Sequence, residues 1–210
     1  MTDKAKFLIL DGPRSPHQGQ SPTYRGTYRR TPPYCDALPK DHEINELFMW
    51  FVEEGGELGL VHDVTRALRF ARLCNEHSPT RNFEVVEVVD GENIQTFSEN
   101  FLGFDLSHAC NNSLLYWGLK ANRSLDEDVR VGVLWQVVSR FFAPQLNKNG
   151  LFSDLDLAEL CLRSLIALQS LRDNLFEGDD LAKYQVVGVY LVSERRVAQM
   201  PGKRSEGPHE

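Results

Sequence analysis

Two apolar segments, FEVVEVV at Phe83–Val89 and FLGFDLS at Phe101–Ser107, follow one another with only a polar connection between them. Runs of this length that are rich in β-branched and aromatic residues are typical of strands, and Asp90-Gly91 marks a turn after the first run. Strands that do not alternate regularly with helices are not typical of a doubly wound parallel sheet. The pair therefore predicts two strands of a mixed, mainly antiparallel sheet.

Three further segments have the composition of strands. Lys6–Asp11 is a short apolar run near the start of the chain, and Tyr184–Ser193 is a valine-rich run near its end. Glu46–Glu53, with the sequence ELFMWFVE, is a continuous apolar run whose length and aromatic residues favour a buried strand over a helix. Because strands covered on both faces are continuously apolar, Leu47–Val52 and Val186–Val192 are predicted to be the central strands.

Helical spacing of apolar residues predicts helices at 64–77, 125–142 and 154–176, together with a short helix at 113–119. The three longer helices follow polar residues suited to the N-cap, which are Asp63, Ser124 and Ser153. With the strands, these helices predict one α+β domain over residues 1–193, in which three to four helices pack on one face of the sheet.

Two segments lack apolar periodicity. Residues 12–40 contain six prolines, and proline fixes φ and removes a backbone donor, so this segment is predicted to be an extended Pro/Arg/Tyr-rich arm. Within it, Tyr24 and Tyr28 alternate with arginines, a pattern that suits stacking on bases or gripping phosphates. Residues 194–210 are polar and are predicted to be a flexible C-terminal tail.

Composition limits the compartment and the partners. The chain has 30 acidic and 23 basic residues, a net charge of −7, and phosphate contacts require a basic surface, so nucleic acid is not the expected partner. Its four cysteines are spread singly without a C-x-x-C pair, which predicts reduced structural thiols. No apolar run approaches the ~18 residues of a membrane span, and no signal peptide is visible. We therefore predict a soluble cytoplasmic protein that does not bind membranes.

The motifs that specify common enzymes are absent. No phosphate-binding, dinucleotide-binding, serine-hydrolase or zinc-protease pattern occurs. Asp105–Asn112 gathers acid, serine, histidine, cysteine and asparagine side chains at a strand end, where they suit either nucleophilic catalysis or turn formation and helix capping. Cys74 and His77 share a predicted helix, but no further metal ligands stand at a recognisable spacing. We predict no catalytic residue, metal or cofactor; an enzyme that uses Asp105–Asn112 is the alternative.

One basic cluster lies within the acidic chain. Arg66, Arg69 and Arg72 recur at every third residue of the helix predicted at 64–77. This spacing distributes the side chains over the exposed surface of a helix, which favours a solvated surface. An anion-binding site is the alternative.

The segment between Phe83 and Leu119, with the sequences FEVVEVVDG and FLGFDLSHACNNSLLYWGL, resembles part of the small immunity proteins of bacterial polymorphic-toxin systems. In those proteins a strand resembling FEVVEV precedes one resembling FLGFDLS, and a short helix resembling NSLLYWGL follows. The resemblance covers under a fifth of the chain. It implies a non-catalytic cytoplasmic protein that binds and neutralises one cognate toxin, and it carries over no binding residue.

Charge supplies the candidate contact residues. An acidic surface speeds encounter with a basic toxin, because complementary potentials raise association rates. We therefore predict that Glu53, Glu54 and Glu57, which surround a pair of glycines, contact the partner together with the arm residues Tyr24 and Tyr28. A regulatory interaction module that uses the Arg/Tyr arm is the remaining alternative.

Overall fold

The computed structural model describes residues 5–13, 42–55, 60–77, 81–90, 93–108, 112–113, 140–171 and 181–193. Its main elements in chain order are β1 (Lys6–Pro13), α1 (His42–Gly55), α2 (Val64–His77), β2 (Arg81–Asp90), β3 (Phe101–His108), β4 (Asn112–Ser113), α3 (Leu155–Leu171) and β5 (Tyr184–Leu191). Short 3₁₀ turns occupy Ala143–Gln145 and Leu181–Lys183. The combination of a sheet with separate helices confirms the predicted α+β class.

The strands form one sheet in the order β1-β2-β5-β3-β4. Every neighbouring pair is antiparallel, as the sequence predicted for most of the sheet. Strand β5 lies third in this order, so the prediction of a central strand at Val186–Val192 is confirmed. Because β2 and β3 are both antiparallel to β5, they run in the same direction, and the connection between them has to pass over β5.

The start of β3 contains an irregularity that requires glycine. The register with β5 shifts between Phe101 and Gly103, and Gly103 has a φ of +142°. A Cβ atom added at Gly103 would lie 2.7 Å from the Leu151 Cβ and 2.7 Å from the Phe152 carbonyl oxygen. The backbone of Phe104 pairs with that of Phe152 through two hydrogen bonds of 2.8 and 3.0 Å, so the segment before α3 continues the sheet at its β3 edge.

The buried side chains form two clusters. One contains residues of α1 and α2 with Phe7, Ile9 and Val85, and the other contains residues of α3, β3 and β5 with Leu8 and Val86. Because successive residues of a strand point to opposite faces, these two clusters lie on opposite faces of β1 and β2. Helices α1 and α2 therefore share one face of β1 and β2, and α3 packs in the other cluster.

Helix α1 replaces the strand predicted at Glu46–Glu53, so that prediction, and with it a central strand at Leu47–Val52, is wrong. The buried residues of α1 are Ile44, Leu47, Phe51 and Gly55. Their spacing of three or four residues is helical. The run appeared continuous because Met49 and Val52, which lie between the buried positions, are also apolar although they are exposed.

The N-cap residues of the other two long helices agree with the sequence prediction to different degrees. Asp63 caps α2 as predicted, since its Oδ1 accepts hydrogen bonds of 3.0 and 3.1 Å from the Thr65 and Arg66 N–H groups. At α3 the cap is Asp154, whose Oδ1 accepts a 2.9 Å bond from the Leu157 N–H, and not the neighbouring Ser153. The helix therefore begins one residue later than predicted, a difference of the size usual for helix boundaries.

Several predicted segments lie outside the described residues. They are 14–40 of the arm, 114–139, which contains the short helix and most of the helix at 125–142, 172–176 and the tail at 194–210. Residues 12 and 13 of the predicted arm belong to β1, and Ser113, predicted to begin a short helix, belongs to β4. Within the part of the chain that the structure describes, no helix has the length and apolarity needed to span a bilayer.

Candidate protein-binding surface

Two of the predicted contact residues lie in the last turn of α1. Glu53 and Glu54 are both exposed there, whereas Glu57, Tyr24 and Tyr28 lie outside the described residues. Glu54 has internal partners, because its carboxylate accepts a 2.6 Å bond from the Trp50 indole N–H and a 2.6 Å bond from the His62 backbone N–H. The Glu53 carboxylate has no hydrogen bond or ion pair with any described residue. Of the pair, Glu53 is therefore the one available to a partner.

Exposed apolar side chains lie beside Glu53. Met49 is 51% exposed and Val52 is 41% exposed, although both are large hydrophobic residues. On a helix, residues three or four apart are neighbours, so Met49 lies next to Val52 and between Glu46 and Glu53. We call Glu46, Met49, Val52 and Glu53 the α1 surface. It presents an apolar centre with a carboxylate at each end.

The opposite side of α1 holds this surface in place. Leu47 and Phe51 are buried against α2, and the Phe51 and Phe70 ring centroids are 6.0 Å apart. The Arg69 guanidinium of α2 forms an ion pair with Glu43 of α1. Because these contacts fix one helix against the other, the α1 surface is presented on a packed element rather than on a loop.

The outer side of α2 has a different character. Arg66, Arg69 and Arg72 each pair with a carboxylate, at 3.9 Å from Asp63 for Arg66 and 3.8 Å from Glu76 for Arg72, and with Glu43 for Arg69. The Arg66 guanidinium also lies over the Trp50 ring, 5.8 Å from its centroid. Since each guanidinium has a neighbouring acid, the geometry favours the solvated surface over the anion-binding site.

The Asp105–Asn112 segment does not bring its reactive side chains together in β3. Asp105 and Ser107 are buried on one face, and Asp105 Oδ1 accepts a 2.8 Å bond from the Leu106 N–H. His108 points to the opposite face, where its ring centroid is 5.6 Å from that of Tyr184. Residues 109–111 lie outside the described chain. Asp105 and His108 therefore cannot act on the same substrate atom.

The described cysteines are enclosed in the core. Cys74 and Cys161 are free thiols and both are buried. Burial disfavours the thiolate and raises the pKa of Cys161 to about 12, so this thiol is protonated and unreactive at neutral pH. Cys74 is buried whereas His77 is exposed at the end of α2, and no group of three or more potential metal ligands occurs among the described residues.

A groove of about 490 Å³ runs between α2, the start of β2 and the end of β5. Asn75 forms part of its wall, and its side chain donates a 2.8 Å bond to the Phe83 carbonyl and accepts a 2.7 Å bond from the Phe83 N–H. The Asn75 carboxamide thereby pairs with backbone groups of β2 at a position where β2 is not paired with β5. Sequence reasoning made no prediction for this groove. The available signal was Asn75, because asparagine has a low helix propensity and yet lies in the last turns of a helix.

Sequence reasoning did not select the exposed Met49 and Val52 as candidates, because it chose candidates by charge alone. The available signal was the excess of apolar residues in ELFMWFVE over the number that one helical face can bury. The α1 surface is thus identified by its exposure and its charge. Comparison of the chain with protein-family models, with curated proteins and with solved structures finds no match.

Proposed function

We propose that this protein is a non-catalytic inhibitor that binds a basic protein, a cognate toxin, through the α1 surface. The observation that carries the proposal is the exposure of Met49 and Val52 between the carboxylates of Glu46 and Glu53. Apolar residues at the centre of a patch with charged residues around it are the usual composition of a protein–protein interface.

The apolar centre would supply affinity. Full burial of a methionine or valine side chain is worth roughly 1.5–3 kcal/mol. Because Met49 and Val52 are already about half buried by the helix, a partner that covers both removes only the remaining exposed area from water. We expect a combined contribution of about 1.5–3 kcal/mol, or roughly ten- to a hundredfold in affinity.

The carboxylates would supply the selection of a basic partner. The whole chain carries a net charge of −7, and α1 contains four glutamates but no lysine or arginine. Opposite charges on the partner would raise the association rate, and salt would reduce that gain because the carboxylates are exposed. The resemblance of Phe83–Leu119 to immunity proteins supports a toxin as this basic partner.

The test uses the purified product of the reading frame adjacent to this chain's own, since an immunity gene lies beside the gene of its toxin. We expect a complex in the nanomolar range, as is typical of specific interfaces of standard size, with an association rate that falls as salt is raised. Substitution of both Met49→Ser and Val52→Ser should weaken binding by at least about tenfold.

The matched control is the double variant Leu155→Ser and Leu160→Ser on α3, whose side chains are 40% and 45% exposed and so are comparable in chemistry and exposure. We expect its affinity to stay within about threefold of the native value, because surface substitutions away from a binding surface have small effects. The proposal fails if the native protein does not bind the adjacent product. It also fails in its assignment of the surface if the two double variants weaken binding equally.

A further inference from the structure

Phe97 is the most exposed large apolar residue in the described part of the chain. Its relative accessibility is 101%, so its ring is not packed against the described residues. It lies in the connection between β2 and β3, which passes over β5. Single exposed hydrophobic residues are common on protein surfaces, so exposure alone does not distinguish Phe97. Its backbone is also held in place on both sides.

The first half of the connection is fixed to β5. Ile94 packs against the core cluster that contains α3, and it lies above Gly188, where an added Cβ would lie only 3.0 Å from the Ile94 Cγ2. The next residue, Gln95, donates its backbone N–H to the Tyr190 hydroxyl at 2.6 Å. The chain therefore approaches Phe97 from two consecutive residues that are bound to the sheet.

The second half is fixed as well. The Ser98 N–H donates to the Gln95 carbonyl at 3.3 Å and the Phe101 N–H donates to the Ser98 carbonyl at 2.9 Å, so that Phe97 lies within a closed turn. The Leu191 N–H of β5 donates to the Asn100 carbonyl at 2.8 Å. The ring of Phe101 packs against Tyr190 at a centroid distance of 5.2 Å.

Ile94 in the connection and Phe101 at the start of β3 thus supply the inward apolar contacts, and Phe97 between them is exposed. An aromatic ring has few rotatable bonds, and a backbone that is already ordered does not have to be ordered on binding. Both features lower the entropic cost of inserting the ring into a partner. Glu99, an exposed carboxylate, follows Phe97 by two residues in the same connection, so the segment that carries the ring also carries a negative charge.

We infer that Phe97 is an aromatic anchor that inserts into an apolar pocket with a basic rim on the protein partner. The inference rests on the proposed function for the identity of that partner, but it depends on a different surface and on different observations. Aromatic side chains are enriched at the centres of interfaces, and the neighbouring carboxylate of Glu99 selects a pocket bordered by lysine or arginine. The same carboxylate disfavours insertion of Phe97 into an anionic membrane.

The test compares Phe97→Ala with the native protein in binding the product of the adjacent reading frame. We expect about 30-fold weaker binding, which equals about 2 kcal/mol at 1.4 kcal/mol per tenfold, mostly through faster dissociation. Because the ring is fully exposed, the unfolding midpoint should not change. Thr96→Ala, an exposed neighbour in the same connection, is the control and should bind within about twofold of the native protein.

The outcomes separate this inference from the proposed function. If the native protein binds and Phe97→Ala binds equally well, the anchor is wrong while the proposed function stands. If the native protein does not bind, both are wrong. Sedimentation of the native protein alone tests for self-association, and sedimentation with phosphatidylcholine vesicles tests for membrane binding. Self-association or vesicle binding that Phe97→Ala abolishes would overturn the inference in favour of a second copy or a membrane.

Discussion

Helices α1 and α2 have the same length of 14 residues, lie side by side and bury one face each in the same cluster, yet their outer sides differ. The three arginines of α2 pair with acids of the same protein, so its outer charges are neutralised internally. The outer side of α1 carries exposed Met49 and Val52 with Glu53, whose carboxylate has no partner among the described residues. This difference is the basis for proposing that α1, rather than α2, uses its outer side to bind another molecule, although the Glu46 carboxylate also lies 3.4 Å from His42 Nδ1.

The largest expected effect concerns the inner sides, where the two helices are alike. Phe70→Ala should lower the free energy of unfolding by about 3–5 kcal/mol, because Phe70 is fully buried and its removal leaves a cavity between α2 and α1. Denaturant unfolding followed by circular dichroism measures this change. A loss below about 1 kcal/mol would mean that α2 is not packed as described.

The cap of α2 is expected to have the next largest effect. Asp63→Ala removes the acceptor for the Thr65 and Arg66 N–H groups, and the loss of an N-cap costs about 1 kcal/mol. Asp63→Asn keeps an oxygen at the same place and should restore most of the stability in the same unfolding assay. Equal destabilisation by both variants would show that the charge of Asp63, rather than its hydrogen bonds, stabilises the helix start.

The ion pair that joins the two helices is expected to contribute less. Arg69 and Glu43 are both about half exposed, and pairs of this kind are worth about 0.2–1 kcal/mol. A double-mutant cycle with Arg69→Ala and Glu43→Ala should give a coupling energy in that range, and high salt should reduce it. A coupling of several kcal/mol would contradict the description of the outer side of α2 as a solvated surface.

The smallest expected change in stability is at the α1 surface. The combined substitution of Met49→Ser and Val52→Ser should alter the free energy of unfolding by no more than about 0.5 kcal/mol per site, because exposed positions tolerate substitution. A much larger loss would mean that these side chains support the fold. In that case the contrast between the two outer sides would no longer indicate a binding surface.

The comparison also explains which elements could be predicted from the sequence. In α2 only the buried face is continuously apolar, so periodicity predicted its bounds of Val64–His77. In α1 the outer apolar residues obscure the same periodicity, and the continuous run therefore predicts a strand. The residues that caused the error are the ones now proposed to bind a partner, which agrees with the expectation that local rules fail at functional positions.

Other features depend on contacts that are distant in the sequence. The strands β2, β3 and β5 could be predicted from composition, but the insertion of β5 between the other two depends on pairs such as Glu87 with Tyr190. The exposure of Phe97 and the partial burial of Phe101 depend in the same way on where the connection crosses β5. The burial of Asp105 within β3 could not be predicted either, since buried carboxylates are rare.

The most direct test of the account follows the Met49 methyl group by NMR. The chain contains three methionines, so ¹³C-methyl labelling gives few signals, and Met49→Leu identifies the one from α1. In the free protein a soluble paramagnetic agent should broaden this signal strongly, because the side chain is about half exposed. At saturation with the adjacent gene product the signal should shift and the broadening should largely disappear; a methyl group that stays equally accessible in a saturated complex would contradict the proposed surface.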